Sequence, residues 1–408
     1  MNPLHIPRLP ASFYEHSDIL RKVQQAGFNR ITSPDAVLAC LLCRVSASLE
    51  PGIELPDASL NYYSALIGGS GTGKSVAFRA SRDLLPDIGT RIDGLGVGSG
   101  QGIVATIAGN ADENGECQVI NPRVLFFADE GEQMLKLGKS DGSILLSILR
   151  TAWSGGALGQ TNATKDRSRN VAANVYRFAL TIGLQPRFAS ELLRGDHAGD
   201  PQRYLFAHVQ NPEQPSVLPR FPQPIEPIHQ PAGTELELQV DPEVTRLIVD
   251  YRVKKQRGDV KDDSLDSHRH LLTLKTAGLL SLIHNEDVSI HWWNMASQVV
   301  EVSRNVRQWV IDYALQDEQS TITRKAVTEV SLQVQKDELR EREVLESMIR
   351  RIVKVLTDYG IPATKSHLQQ QASSSKQRNT VPIERAISEA IQRGQIVQTK
   401  EKLFALPR

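Results

Sequence analysis

Eight consecutive residues, Gly68-Gly69-Ser70-Gly71-Thr72-Gly73-Lys74-Ser75, hold the densest concentration of chemistry in the 408-residue chain. Glycines accept backbone angles that turn successive N–H groups inward, so such a run folds into a nest for phosphate oxygens. Lys74 can then neutralise charge on β- and γ-phosphates, and the Ser75 hydroxyl is placed to ligate magnesium. Val76 follows, and the helix expected to begin near Lys74 adds its positive end to the site. A second constellation comes downstream in Val124-Leu-Phe-Phe-Ala-Asp129-Glu130. An apolar strand ending in carboxylates presents an acid to a magnesium shell at the C-terminal end of a sheet. Asp129 is expected to hold magnesium through water, and Glu130 to polarise an attacking water as general base. Glu132 is a weaker candidate for the same work. The chemistry implied is hydrolysis of ATP, with Mg2+ as the metal.

Two more polar groups could complete such a centre. The run Arg177–Leu184 is followed by Gln185-Pro186. A side chain there would sit beside a γ-phosphate, which makes Gln185 the candidate sensor, with Thr181 as the alternative and a plain helix-starting turn as the structural reading. Gly199-Asp-Pro-Gln-Arg203 then brings an arginine in front of Tyr204–Val209. Arginine suits the dispersed negative charge of phosphoryl transfer. In a ring of subunits Arg203 could complete a neighbour's site; a structural ion pair is the competing reading.

The elements that must position these residues are legible in outline. Strands are predicted over Tyr62–Ile67, Val124–Ala128, Arg177–Leu184 and Tyr204–Val209, with helical stretches between them, the pattern of an α/β domain with a largely parallel sheet. Ser33-Pro34-Asp35 is a helix start, with Ser33 as N-cap. Seven prolines between Asn211 and Pro231 exclude an interior element and indicate an extended linker. Helices follow, and Trp292-Trp293 reads as a pair of packing anchors, with base stacking as the alternative. The expected boundaries are an N-terminal helical segment over 1–58, an ATPase core over 59–210, a linker over 211–235, a helical domain over 236–320, a connecting helix over 321–342 and a terminal domain over 343–408. In that terminal domain, helices over Leu345–Leu356, Ser366–Gln371 and Pro382–Gln392 precede two short strands with a turn at Lys400–Lys402, which is the winged-helix order.

Composition narrows the classes. Apolar residues make up 40% and charged residues 23%, as in a soluble globular protein, and the cytoplasm is the expected location. No apolar run approaches the ~20 residues of a membrane helix. The formal net charge of zero argues against coating nucleic acid by bulk charge, while leaving room for a local patch. Cys40 and Cys43 form a C-x-x-C inside an apolar helical stretch, and with Cys117 as the one further thiol they read as buried core.

Taken together, these residues resemble a large P-loop family encoded by phages, plasmids and integrated elements, whose members often follow primase domains. The resemblance spans about residues 30–315. It rests on Ser33-Pro34, the glycine-rich run, the Asp129-Glu130 strand, Trp153-Ser-Gly155, Ile182-Gly-Leu-Gln185-Pro186, Gly199–Arg203 and Lys275-Thr-Ala-Gly-Leu279. It implies a RecA-like ATPase core working as a replicative helicase or related DNA motor. That in turn implies DNA as partner, a homo-oligomeric ring of which a hexamer is one form, and a separate primase or replication protein. A nucleotide-switched regulator or loader, serving replication, partition or anti-phage defence, is the rival class.

Two segments bear on DNA. Gly155–Asn170 contains Lys165, Arg167 and Arg169 in a flexible basic stretch, where a ring motor places loops in its channel, although a solvated loop has the same composition. Residues 340–408 carry 13 Lys+Arg against 7 Asp+Glu. Lys376, Arg378, Arg385 and Arg393 lie near the third helix, which suits a DNA groove, or else a protein partner of the same fold.

Overall fold

The computed structural model describes residues 5–111, 117–160, 169–194, 199–226, 228, 236–260 and 264–407. Helices α1 (Asp18–Asn29) and α2 (Pro34–Ser48) lead into a sheet of β1 (Tyr62–Ile67), β2 (Ile92–Leu95), β3 (Arg123–Ala128), β4 (Arg177–Leu184) and β5 (Tyr204–His208). Between the strands run α3 (Lys74–Leu84), α4 (Gly100–Ile107), α5 (Gly131–Lys139), α6 (Leu145–Trp153) and α7 (Pro186–Arg194). After β5 come α8 (Pro242–Arg257), α9 (Arg269–Ile283) and α10 (Ile290–Tyr359). The chain forms two compact units, Met1–Gln316 and Asp317–Arg408.

Helix α2 is the centre of the first unit. The Ser33 hydroxyl accepts the Asp35 N–H, and Pro34 sits in the first turn, where its missing donor is harmless. Every residue from Pro34 to Ser48 is buried, as expected of a helix apolar nearly all round. It lies on β1, β4 and β5 and also touches α1, α3 and α9. The N-terminal helices and residues 236–316 therefore share one hydrophobic core with the sheet. The polar side chains of α2 find partners within this core. Arg44 donates to Leu85 O at 3.0 and 2.7 Å and to Asp93 at 2.7 Å. Ser46 donates to Leu60 O at 2.7 Å. Cys40 and Cys43 are buried here, and burial pushes the Cys43 thiol up to about 11.

The sheet is parallel throughout, in the order β5-β1-β4-β3-β2. β1 and β4 are buried along their whole length, which explains their unbroken apolar runs in place of alternation. β4 lies between β1 and β3, pairing Ile67 with Leu184 and Ala128 with Ile182. β1 and β4 therefore end opposite each other while β3 stops two residues short, and a crevice at the C-terminal ends of such strands is where open α/β sheets bind ligands.

The proline-rich stretch after β5 is an extended strap across α1. Prolines offer no N–H, so the strap is held through its carbonyls. Lys22, Gln25 and Asn29 donate to the carbonyls of Pro224, Arg220 and Pro219 at 3.1, 2.7 and 2.8 Å. Arg30 lies 4.8 Å over the Phe221 ring. Trp292 and Trp293 are buried anchors near the start of α10, and the Trp292 indole donates to Glu286 at 2.7 Å.

The second unit has its own core of Leu345, Met348, Ile352, Leu368, Ile383 and Phe404 with their neighbours. The expected Leu345–Leu356 helix is the end of α10, which runs unbroken for 70 residues because no Gly or Pro interrupts 290–359. Gly360, at φ +68°, terminates it. Helices α11 (Lys365–Ala372), α12 (Ser375–Thr380) and α13 (Ile383–Gln392) follow, then antiparallel strands Val397–Gln398 and Phe404–Ala405. α12 is an additional element, started by a Ser374–Gln377 capping box. Among the described residues no helix is long and apolar enough to cross a membrane.

A buried carboxyl makes the core of the first unit sensitive to pH. Asp35 accepts the Leu9 N–H at 2.9 Å and the Tyr14 hydroxyl at 2.6 Å, but burial outweighs both and pushes its pKa from 3.8 to about 6. A folded pKa above the unfolded one stabilises the fold below the unfolded value, and that stability is lost as pH rises through the folded value. The loss amounts to about 3 kcal/mol at 1.36 kcal/mol per unit. His208 and His268, pushed down to about 4 by burial, act in the opposite direction. Subtracting the unfolding free energy of Asp35→Asn from that of wild type cancels them. That difference should fall by about 2 kcal/mol between pH 4 and pH 6.5; a flat difference would refute the assignment.

Candidate functional site

The C-terminal crevice gathers the two constellations. A cavity of about 190 Å³ is lined by Ser70, Gly71, Thr72, Gly73, Lys74, Ser75, Asp129, Glu130, Glu132 and Gln185. The glycine-rich run leaves β1 and enters α3 at Lys74. Gly73 stands at φ +105° as its N-cap, a backbone state that a side chain would strain. Strands lie about 4.8 Å apart, so the acids after β3 stand roughly two strand spacings from the end of β1. Gln185, the first residue after β4, falls between them.

Lys74 bridges the gap. Its Nζ donates to the Gly68 and Gly69 carbonyls at 3.0 and 2.8 Å. Burial lowers its pKa, while Asp129 and Glu132 favour its charge. Gly183 makes this approach possible: a Cβ there would stand 2.6 Å from Asp129 O and 3.3 Å from Lys74 Cδ. Sequence reasoning missed Gly183, although an isolated Gly inside a strand is a signal of close approach. It also missed Gln133, whose amide donates to the Glu130 carboxylate from one helical turn on.

Gly68 and Gly69 thus contribute carbonyls, and Val76 lies in the first turn of α3, outside the cavity lining. Among the described residues no three His, Cys, Asp or Glu side chains cluster as a metal cage. Magnesium needs none, because it keeps several waters and is held by one or two carboxylates plus phosphates. Ser75 and Asp129 on one cavity fit that donor set.

Other candidates stand elsewhere. Thr181 is inside the sheet, buried, its hydroxyl 3.0 Å from that of Ser64, so it cannot face a phosphate. Arg203 precedes β5, whereas the nest follows β1; in a parallel pair that is the opposite end of the sheet, about 16 Å away. There its guanidinium donates to Gly199 O at 2.6 Å and lies 5.6 Å over Trp153. It does not reach the nest of its own chain.

The DNA-binding candidates also separate. Lys165 and Arg167 lie outside the described residues. Arg169 begins a strand, Arg169–Val171, antiparallel to Leu158–Gln160, and is partly buried. Arg378 closes the end of α11, donating to Gln369 O at 3.0 Å and Ser373 O at 2.7 Å. Arg385 pairs with Glu341 at 3.1 Å, and Arg393 with Glu346 at 2.6 Å and Glu389 at 2.9 Å. Lys376 is exposed. Arg378 is therefore taken up by carbonyls of its own domain, and Arg385 stands in an exposed ion pair, uses that their sequence positions did not reveal.

No protein-family model matches the chain, and no curated protein does.

Two substitutions separate binding from chemistry. Lys74→Ala should abolish ATP hydrolysis and weaken nucleotide binding, with a thermal midpoint close to wild type because Lys74 is only half-buried. Glu130→Gln should bind ATP as wild type does but hydrolyse it about 10²- to 10⁴-fold more slowly, the usual worth of a general base. Normal turnover by Glu130→Gln would transfer the role to Glu132.

Proposed function

We propose that the protein is a magnesium-dependent ATPase with a RecA-like P-loop core, acting as a ring-forming motor on DNA. The observation that carries the ATPase reading is the convergence of Lys74, Ser75, Asp129, Glu130 and Gln185 on one crevice. Backbone N–H groups of the glycine run would cradle the β-phosphate, and Lys74 would exchange its carbonyl partners for β- and γ-oxygens. Magnesium, held by Ser75 and Asp129, would supply charge neutralisation on those oxygens. Glu130 would take the proton of the water that attacks the γ-phosphorus, with ADP departing. Gln185 would hydrogen-bond the γ-phosphate.

The DNA motor rests on the family resemblance and on a second unit whose helices and hairpin follow the winged-helix order. A specific observation favours the rival reading, a nucleotide-switched regulator or loader. The cations Arg385 and Arg393 on and after α13 are neutralised by Glu341, Glu346 and Glu389, which suits a protein contact better than a phosphate backbone.

ATP turnover measured with and without single- and double-stranded DNA, alongside native mass, tests both. Lys74-dependent turnover stimulated several-fold by DNA is the motor's signature; ATP-dependent assembly without stimulation is the switch's. No hydrolysis with any nucleotide and Mg2+ would overturn the ATPase. In a ring, Arg203 would serve the neighbouring subunit. Mixing Arg203→Ala with Lys74→Ala subunits, each inactive alone, should then restore part of the activity. No recovery in proven mixed assemblies would leave Arg203 structural.

A further inference from the structure

The middle of α10 is solvated on every side. Each residue from Thr321 to Arg340 is exposed, and the large apolar side chains of Ile322, Leu332 and Leu339 are 68%, 51% and 58% open. Helices in proteins draw most of their stability from packing one face. Intrinsic propensity does not replace it here, because Thr321, Ile322, Thr323, Val327, Thr328, Val330 and Val334 are β-branched and lose side-chain freedom in a helix. Such a stretch calls for a covering surface.

One line of residues identifies it. Leu315, Glu318, Ile322, Lys325, Glu329, Leu332, Lys336 and Leu339 follow one another at alternating steps of three and four, which sets them in a single seam along the helix. All of them are exposed. Turned end for end about Val327, the seam matches itself. Leu315 then meets Leu339, Glu318 meets Lys336, Ile322 meets Leu332 and Lys325 meets Glu329. We propose that this face of α10 pairs with the same face of a second copy of the chain, as an antiparallel two-helix coiled coil.

Charge complementarity fixes the direction. A parallel pair in register would set Glu318, Lys325, Glu329 and Lys336 each beside its own copy, four layers of like charge, which repel strongly. Antiparallel, the same residues form layers of opposite charge between layers of Leu and Ile. The lysine stems can lie along their apolar neighbours while the ammonium groups reach outward to the carboxylates. Charged residues in a seam lower its stability and in return specify register and orientation. Because both copies offer the same patch, the contact is isologous and closes as a two-fold pair. It goes beyond the nucleotide reading and stands whether or not the protein hydrolyses ATP.

The test is sedimentation of the full chain, without nucleotide, over a concentration series. Two seam variants are compared with wild type: Lys325→Glu/Lys336→Glu, which leaves only acids among the charged positions, and Glu318→Lys/Glu329→Lys, which leaves only bases. Wild type should form an even-numbered assembly that each variant alone halves, with the dissociation constant of the pair raised at least about 100-fold. An equimolar mixture of the two variants should recover the assembly, because acids then face bases. A wild type that stays monomeric at every concentration would overturn the pair. Variants that keep the wild-type mass would also overturn it and move any contact elsewhere, such as to Val327, Val330 and Val334 on the opposite side of the helix. Loss in both variants without recovery on mixing would overturn the antiparallel register. Should a variant not fold, oxidative cross-linking of Ile322→Cys chains with Leu332→Cys chains decides. Those thiols meet in the antiparallel pair, whereas in a parallel one they stand ten residues, about 15 Å, apart; absence of the mixed cross-link would overturn the pairing.

Discussion

The candidate site depends on the parallel pairing that inserts β4 between β1 and β3. Were β1 and β3 neighbours, no strand end would stand between the glycine-rich run and the carboxylates. With β4 interposed, Ile67 ends opposite Leu184 and Ala128 opposite Ile182, two residues short, so Asp129 and Glu130 run on beside the end of β4. Three chain exits then carry a glycine-rich run, a polar amide and two acids onto one edge. Gly183 permits this closeness, since a Cβ there would collide with Asp129 O. The electrostatics follow from the same spacing: Lys74 is partly desolvated, yet near enough to Asp129 and Glu132 for them to favour its charge.

That pairing is set at the other end of the sheet by a buried polar network. Asn61, just before β1, accepts the Phe178 N–H of β4 at 3.0 Å and donates to Ala152 O at 2.6 Å. Lys275 of α9 donates to Asn61 O at 3.0 Å and Trp153 O at 2.6 Å, with its ammonium 3.8 Å over the Trp153 ring. Burial pushes the Lys275 pKa well below its ordinary value, opposed by Glu54. Arg177, at the start of β4, donates to the carbonyls of Glu50, Pro51 and Ile53. A slip of β1 against β4 would break these buried hydrogen bonds together, which makes the register expensive to change. One end of the sheet thus fixes alignment and leaves the other free for a ligand.

Much of this was legible because strands buried on both faces are unbroken apolar runs. Tyr62–Ile67 and Arg177–Leu184 match the predicted bounds, and β3 and β5 differ from them by one residue. β2 was missed because Ile92-Asp-Gly-Leu95 is short, half-exposed and broken by Gly94. Asp129, Glu130 and Gln185 could be named in advance because they come straight after strands, and Lys74 and Ser75 because they close the glycine-rich run. Arg203 and Arg378 could not be placed, since an arginine's partner depends on tertiary packing that local spacing does not encode. The unity of residues 1–316 was hidden for a similar reason. Segments far apart in sequence close over α2, and only the all-round apolar character of Pro34–Ser48 pointed to it.

The central claim is that the Gly68–Ser75 run receives the phosphates of a nucleotide. The most direct measurement is an experimental structure of the full chain with Mg2+ and a non-hydrolysable ATP analogue. The account predicts phosphates within the run, Lys74 Nζ transferred from the Gly68 and Gly69 carbonyls to phosphate oxygens, and the metal on Ser75 and Asp129. Phosphates bound elsewhere, with Lys74 still holding those two carbonyls, would contradict it.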